Sequence, residues 1–251
     1  MQLHSQTLGQ GQPLMLLHGL FGSADNWGSI ARQLAQHYQV ISVDLRNHGR
    51  SPHHASQTYA DMAADVLAVC DSLGITQMHL LGHSLGGKVA MQFATQYPER
   101  LHSLMVVDMA MRAYADAHTS LLDAMLALDV SQLTTRSEAD KALTAAIDDV
   151  MVRQFLLTNL VKVEDQLQWR INLPALKANY VHFQAALAAH FENPSLFIRG
   201  AHSEYVHAKD MAEIQHHFTR AEFVTLPTGH WVHAEQPQLF TQALQDFLTA
   251  L

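Results

Sequence analysis

Gly82-His83-Ser84-Leu85-Gly86 follows the apolar run Met78-His79-Leu80-Leu81 and precedes the helix-like stretch Lys88 to Gln96. A G-x-S-x-G motif set between a strand and a helix describes a nucleophile elbow: the serine is pinned on a strained turn, its hydroxyl exposed above a sheet. Glycine flanks it because only glycine lets the neighbouring backbone pass so closely. Standing alone the pentapeptide is weak, since small flexible residues also gather in ordinary turns. A catalytic reading of Ser84 therefore needs a base, an acid and oxyanion donors in the right chain order.

The base candidate lies near the C-terminus. Ala221 to Leu226 reads as a short strand and runs into Pro227-Thr228-Gly229-His230-Trp231-Val232-His233. His230 sits on that loop, ahead of a helical pattern from Gln238 to Leu248, where a strand–loop–helix unit presents the last member of a Ser, acid, His order. The chain holds 18 histidines, most of them expected to be surface groups, so it is context that singles out His230. His233, three residues on, could form a metal pair with His230. A zinc site needs a third ligand at regular spacing, and neither His53-His54 nor His216-His217 offers one; no metal is expected.

Oxyanion donors are suggested at the other end of the chain. Pro13 to Leu17 reads as a buried strand ending in His18-Gly19-Leu20-Phe21-Gly22. A turn at its C-terminal end can aim the Leu20 N–H at a developing oxyanion, with the Leu85 N–H as the second donor at the start of the helix after Ser84. The side chains of Leu20 and Phe21 would then be apolar walls. Without the serine motif, His18-Gly19 would be a plain strand-ending turn.

Two positions can supply the acid. One is the loop Gly200-Ala201-His202-Ser203-Glu204 after the strand Ser195 to Arg199, where Glu204 is the carboxylate. The other is the end of the apolar run Leu104-Met105-Val106-Val107-Asp108. Asp108 fits better, because a one-residue shift on a loop redirects Glu204, whereas a strand-end carboxylate can accept the proton on one imidazole nitrogen of His230 and fix its tautomer. An aspartate there that merely caps a helix is the plain alternative.

With these residues in hand, the chain resembles the α/β-hydrolase family, and within it the bacterial YbfF-type esterases. The matching segments are His18-Gly19-Leu20-Phe21-Gly22-Ser23, Asp44-Leu45-Arg46-Asn47-His48-Gly49-Arg50-Ser51, Gly82 to Lys88, Trp169-Arg170-Ile171-Asn172 and Gly229 to Glu235. They span most of the chain; residues 112 to 165 carry the resemblance least. Met111 departs from it, standing where the group tends to have proline. The resemblance implies that Asp108 is the triad acid, that Ser203, standing where the fold's commoner aspartate would be, assists the histidine, and that the substrates are small acyl esters or acyl-CoA thioesters.

The same residues bear on other chemistries. Gly82 to Lys88 also fits G-x-x-x-x-G-K, but Val89 stands where a nucleotide-binding loop needs a Ser or Thr hydroxyl for Mg²⁺. A serine nucleophile disfavours dehalogenase or epoxide hydrolase chemistry, for which members of this fold use aspartate. A cofactor-free C–C bond hydrolase or lyase keeps Ser and His and stays open as the alternative. A binding protein on a decayed scaffold leaves an intact Ser, Asp and His set unexplained.

Composition sets outer limits. The net charge of −8 gives no basic excess to displace phosphate counterions, which argues against nucleic acid as a partner. There is no run near the roughly 18 apolar residues of a membrane span, so no stable membrane insertion is expected. Met1 to Gln12 is polar, unlike the apolar core of a signal peptide, and a cytoplasmic protein is expected. Cys70 is the single cysteine; it lies in the helical pattern Tyr59 to Leu73 and is expected to be packed rather than reactive.

Apolar strand-like runs alternate with helical patterns: strands at Val40 to Val43, Met78 to Leu81, Leu104 to Val107, Ser195 to Arg199 and Glu222 to Leu226, helices at Asn26 to His37, Tyr59 to Leu73, Leu85 to Tyr97 and Ala208 to Phe218. That alternation predicts an α/β fold with a mostly parallel central sheet flanked by helices. Met1 to Thr7 would add an antiparallel edge strand. The rhythm breaks after Asp108, where apolar spacing is helical throughout. Residues 1–111 and 191–251 are read as an α/β-hydrolase core and residues 112–190 as an inserted helical cap. Met125, Phe155 and Leu156 could line an acyl pocket there, although residues so spaced usually pack a core. Phe21, His83, Trp231 and Phe155 are the substrate-pocket candidates. The expected activity is a serine carboxylesterase or thioesterase (EC 3.1) working without a cofactor on a small-molecule acyl ester or thioester.

Overall fold

The computed structural model describes residues 1–251. Seven strands form one sheet in the order β1-β3-β2-β4-β5-β8-β9: β1 (Ser5–Leu8), β2 (Gln12–Leu17), β3 (Tyr38–Val43), β4 (Met78–His83), β5 (Leu101–Val107), β8 (Ser195–Gly200) and β9 (Ala221–Leu226). Only β1 runs antiparallel, pairing with the edge of β3; all other neighbours are parallel. The helices of this core are α1 (Gly28–Leu34), α2 (Tyr59–Ser72), α3 (Leu85–Gln96), α8 (Ala208–His217), the single turn α9 (Val232–Glu235) and α10 (Pro237–Thr249).

The strands are apolar on both faces because helices cover both. Along β2, Met15 and Leu17 join the large core cluster with residues of α2 and α3, while Leu14 and Leu16 join a second cluster with Ile30, Leu34, Phe240 and Leu244 of α1 and α10. The chain leaves β2 for β3 on one side and returns to β4 on the other. The C-terminal ends of β2 and β4 therefore flank the crevice where such sheets bind ligands.

Between β5 and β8 lie α4 (Thr119–Ala127), α5 (Arg136–Leu143), α6 (Val150–Leu157), a hairpin of β6 (Leu160–Val163) and β7 (Gln166–Trp169), and α7 (Leu173–Gln184). The hairpin corrects the expectation of a wholly helical insertion. Each of its strands has four residues, too few to show a period of two, and the two-residue turn is made by Glu164 and Asp165, both at positive φ, without the Gly or Asn that usually signals it. Asn26 to His37 is also not one helix: a 3₁₀ turn at Ala24–Trp27 precedes the shorter α1.

The inserted segment is fastened to α3 by Lys88. Its side chain is fully buried, and Nζ donates to the carbonyls of Arg112 (2.8 Å) and Ala185 (2.5 Å), one near each end of the insertion. Cys70 is buried, with its thiol pushed up to about 11 by desolvation. No helix is long and apolar enough to cross a membrane.

Candidate active site

Ser84 occupies the turn between β4 and α3 at φ 53°, ψ −118°, a conformation costly for a residue with a Cβ. It persists because the residues two before and two after it are glycines. A Cβ on Gly82 would run into the Gly86 carbonyl, and one on Gly86 into the carbonyls of Leu17 and His18. The turn thus lifts the Ser84 hydroxyl out of the sheet while β4 and α3 close tightly beneath it.

His230, on the loop after β9, reaches back to that hydroxyl: its Nε2 lies 3.0 Å from Ser84 Oγ. On the other side of the ring, Nδ1 donates to Asp108 Oδ2 at 2.7 Å. Asp108 is fully buried at the end of β5, itself at positive φ. The Gly200 N–H donates to its Oδ1 at 3.0 Å, and the Ser203 hydroxyl donates to Oδ2. Ser203 thus reaches the carboxylate rather than the imidazole. The Glu204 side chain is 92% exposed and lies nearest the His207 ring.

The other ring contacts of His230 could not be read from the sequence. Tyr205 stacks on it with centroids 3.7 Å apart, and His83 Nε2 donates to the His230 carbonyl at 2.9 Å. Only the position of Tyr205 two residues after Ser203 hints at the first. His233 packs on Trp27 (4.5 Å) and beside His83 (4.7 Å), away from any ligand-like cluster. Burial, with the neighbouring His230, lowers the His233 imidazole to about 4. Desolvation also holds His83 well below the ordinary range. Both rings are neutral near pH 7.

The Leu20 loop is built from the β3 end of the sheet. The Phe21 N–H donates to His48 Nε2 (3.3 Å), and His48 Nδ1 donates to the Arg46 carbonyl (2.9 Å). The Leu45 N–H donates to His18 Nε2 (3.0 Å), and His18 Nδ1 donates to the Gly19 carbonyl (2.8 Å). Each imidazole must keep a lone pair for a backbone N–H, so each is neutral with a defined tautomer. Burial lowers both, His48 to about 3. Asp44 takes the N–H groups of Ala24 and Arg50, and Arg46 pairs with buried Asp65. The Asp44 to Ser51 segment is therefore scaffolding. The N–H groups of Leu20 and Leu85 donate to no acceptor in the protein.

Two cavities meet at Ser84. One, of about 440 Å³, is lined by Phe21, His83, Phe155, Leu156, His230 and Trp231, among others; the second, of about 360 Å³, by Leu85, Tyr59, Tyr114, Tyr180 and Tyr205. All four pocket candidates line the first. Met125 does not reach either cavity and is core.

A parallel sheet with a strained serine after one strand and a histidine after the last defines an α/β hydrolase. The model of the alpha/beta hydrolase fold matches residues 12–237, and the chain belongs to that family. It is similar to esterase YbfF of Escherichia coli (34% identical, covering 97% of this chain and 96% of that one). It is also similar to the sn-1-specific diacylglycerol lipase ABHD11 of Mus musculus (37%, covering 94% and 80%). Among solved structures, a marine microorganism esterase is 36% identical and superimposes with a TM-score of 0.95 over 98% of this chain and 99% of that one. The chain is an enzyme of the ester-hydrolase class.

Proposed function

We propose that this enzyme cleaves carboxylic esters or acyl thioesters through an acyl-enzyme intermediate, with Ser84 as nucleophile, His230 as base and Asp108 as the orienting acid. The observation that carries the reading is the unbroken chain Ser84 Oγ, His230 Nε2, His230 Nδ1, Asp108 Oδ2, with contacts of 3.0 and 2.7 Å.

With Asp108 accepting the Nδ1 proton, the His230 lone pair faces Ser84 and takes its proton as Oγ attacks the carbonyl carbon. The tetrahedral oxyanion falls to the N–H groups of Leu20 and Leu85, which are otherwise unpartnered and border the cavities beside Ser84. His230 returns the proton to the leaving alcohol or thiol; water then repeats the sequence on the acyl-enzyme. Ser203 and the Gly200 N–H hold the carboxylate in line. Residues 112–190 act as a cap that walls the site, and the mostly apolar lining of the larger cavity suits an unbranched acyl or alkyl chain. The chain works in the cytoplasm on a small-molecule ester.

A panel of 4-nitrophenyl esters and acyl-CoA thioesters of graded chain length tests this. Turnover of short and medium esters with a pre-steady-state burst is expected. No hydrolysis of any ester or thioester would defeat it.

A further inference from the structure

Three residues line both cavities: Leu20, Ser84 and His118. The first two have their parts in acyl transfer. The third, a cap residue at the start of α4, has none so far.

Resting on the esterase reading, we propose that His118 is a substrate-binding residue whose Nε2–H donates to a neutral oxygen on the substrate, a second acceptor within a few bonds of the scissile ester. The hydrogen-bond pattern around Tyr180 fixes this. The Tyr180 hydroxyl, on α7, receives the backbone N–H groups of Ala117 (3.2 Å) and His118 (3.1 Å), the latter shared with Asp116 Oδ1 (3.2 Å). Its third contact is His118 Nδ1 at 2.9 Å. A phenol oxygen has two lone pairs and one proton. With both lone pairs taken, the proton must go to Nδ1, which leaves the hydrogen of the neutral imidazole on Nε2. Burial lowers this imidazole to about 4, so the neutral form holds near pH 7.

Nε2 meets no acceptor in the protein and belongs to a side chain facing the junction of the two cavities. The scissile carbonyl oxygen already has Leu20 and Leu85, so the oxygen that His118 reads is a different one. It is neutral rather than a carboxylate because the cationic side chain lining either cavity, Arg112, is engaged by Asp210 (3.2 Å) and the Glu204 carbonyl (2.9 Å), while Glu204 and Glu235 add negative charge. A site built to donate to an oxygen discriminates against the analogue with carbon in its place, because the donor is then left dry and unpaired.

The oxygen can lie on the acyl or on the alcohol side, and two matched pairs of esters separate these. The first pair is 4-nitrophenyl methoxyacetate against 4-nitrophenyl butyrate; the second is 2-methoxyethyl butyrate against butyl butyrate. In each, kcat/KM is divided by the rate of uncatalysed alkaline hydrolysis, and the ratio of oxygen to carbon ester is compared between the wild type and His118→Phe. Losses common to both esters cancel. The wild-type ratio should exceed that of His118→Phe by about five- to tenfold in one pair, which names the side. Tyr180→Phe, which frees Nδ1 and lets the tautomers mix, should lose part of the same preference, and ¹⁵N imidazole shifts should show Nε2 protonated in the wild type. Ratios equal within about twofold in both pairs, with butyrate esters still turned over by the wild type, would overturn the assignment of His118 and leave the esterase reading standing. A wild type protonated at Nδ1 overturns it as well. Failure of the wild type on every ester strikes the esterase reading instead.

Discussion

Asp108→Asn changes one atom in the buried core of the site, and the surroundings dictate how the new amide sits. The Gly200 N–H donates to Oδ1 at 3.0 Å, so the amide oxygen must stay on that side. The NH₂ then falls at the Oδ2 position, facing His230 Nδ1 and the Ser203 hydroxyl. Of its two N–H donors, one can turn to the Ser203 Oγ, and the one aimed at His230 can be satisfied only by an Nδ1 lone pair, which moves the imidazole hydrogen to Nε2 and points it at Ser84. His230 then cannot accept the serine proton. In serine proteases the same substitution lowers turnover by about 10⁴-fold, equivalent to about 5.5 kcal/mol. A loss on that scale is expected here in kcat on one activated short-chain ester, with circular dichroism confirming an unchanged fold. Glu204→Gln, at an exposed carboxylate beside His207, should cost less than about threefold, within the small effect of a surface change. A loss below about tenfold for Asp108→Asn, or a crippled Glu204→Gln, would refute the reasoning and move the acid to the loop after β8.

Other outcomes follow from the same contacts. Ser203→Ala removes one donor to the carboxylate and should cost about 1–3 kcal/mol in kcat/KM, between the other two variants. His230→Ala should lose nearly as much activity as Ser84→Ala, while His233→Ala, which loses packing on Trp27, should keep most of its turnover; the reverse ranking would name the wrong base. Acid should unfold the protein early. His48 is held at about 3, and His79, His118 and His233 at about 4, all mainly by burial. A depressed folded pKa means that the unfolded chain takes up these protons first, so stability is full above about pH 6.5 and falls as the pH drops toward 4. At pH 5.5 each group costs about 1.4 kcal/mol, or about 5.6 kcal/mol for the four, a large share of a typical net stability. Urea midpoints at pH 7.5 and 5.5 measure this, and equal midpoints would contradict it.

The parts of the molecule legible in the sequence are those with local signatures. The elbow announces itself because Gly82 and Gly86 must be bare for the backbone to close. The strand ending at Asp108 is a plain apolar run, and His230 follows from its place between a strand and a helix. What escaped the sequence depends on residues far apart meeting in space. Nothing near Tyr205 says that it stacks on His230, and nothing near His48 says that it accepts the Phe21 N–H. The hairpin of β6 and β7 was hidden by its brevity, with Leu160 and Leu167 its only buried positions. The tautomer of His118 depends on Tyr180, 62 residues away.

The most direct test of the account is covalent labelling of the serine. Incubated with a fluorophosphonate and weighed intact by mass spectrometry, the wild-type chain should gain one adduct, and digestion should place it on Ser84. A folded Ser84→Ala variant should gain none. Full labelling of that variant, or an adduct on any other residue of the wild type, would contradict the assignment of Ser84 as nucleophile.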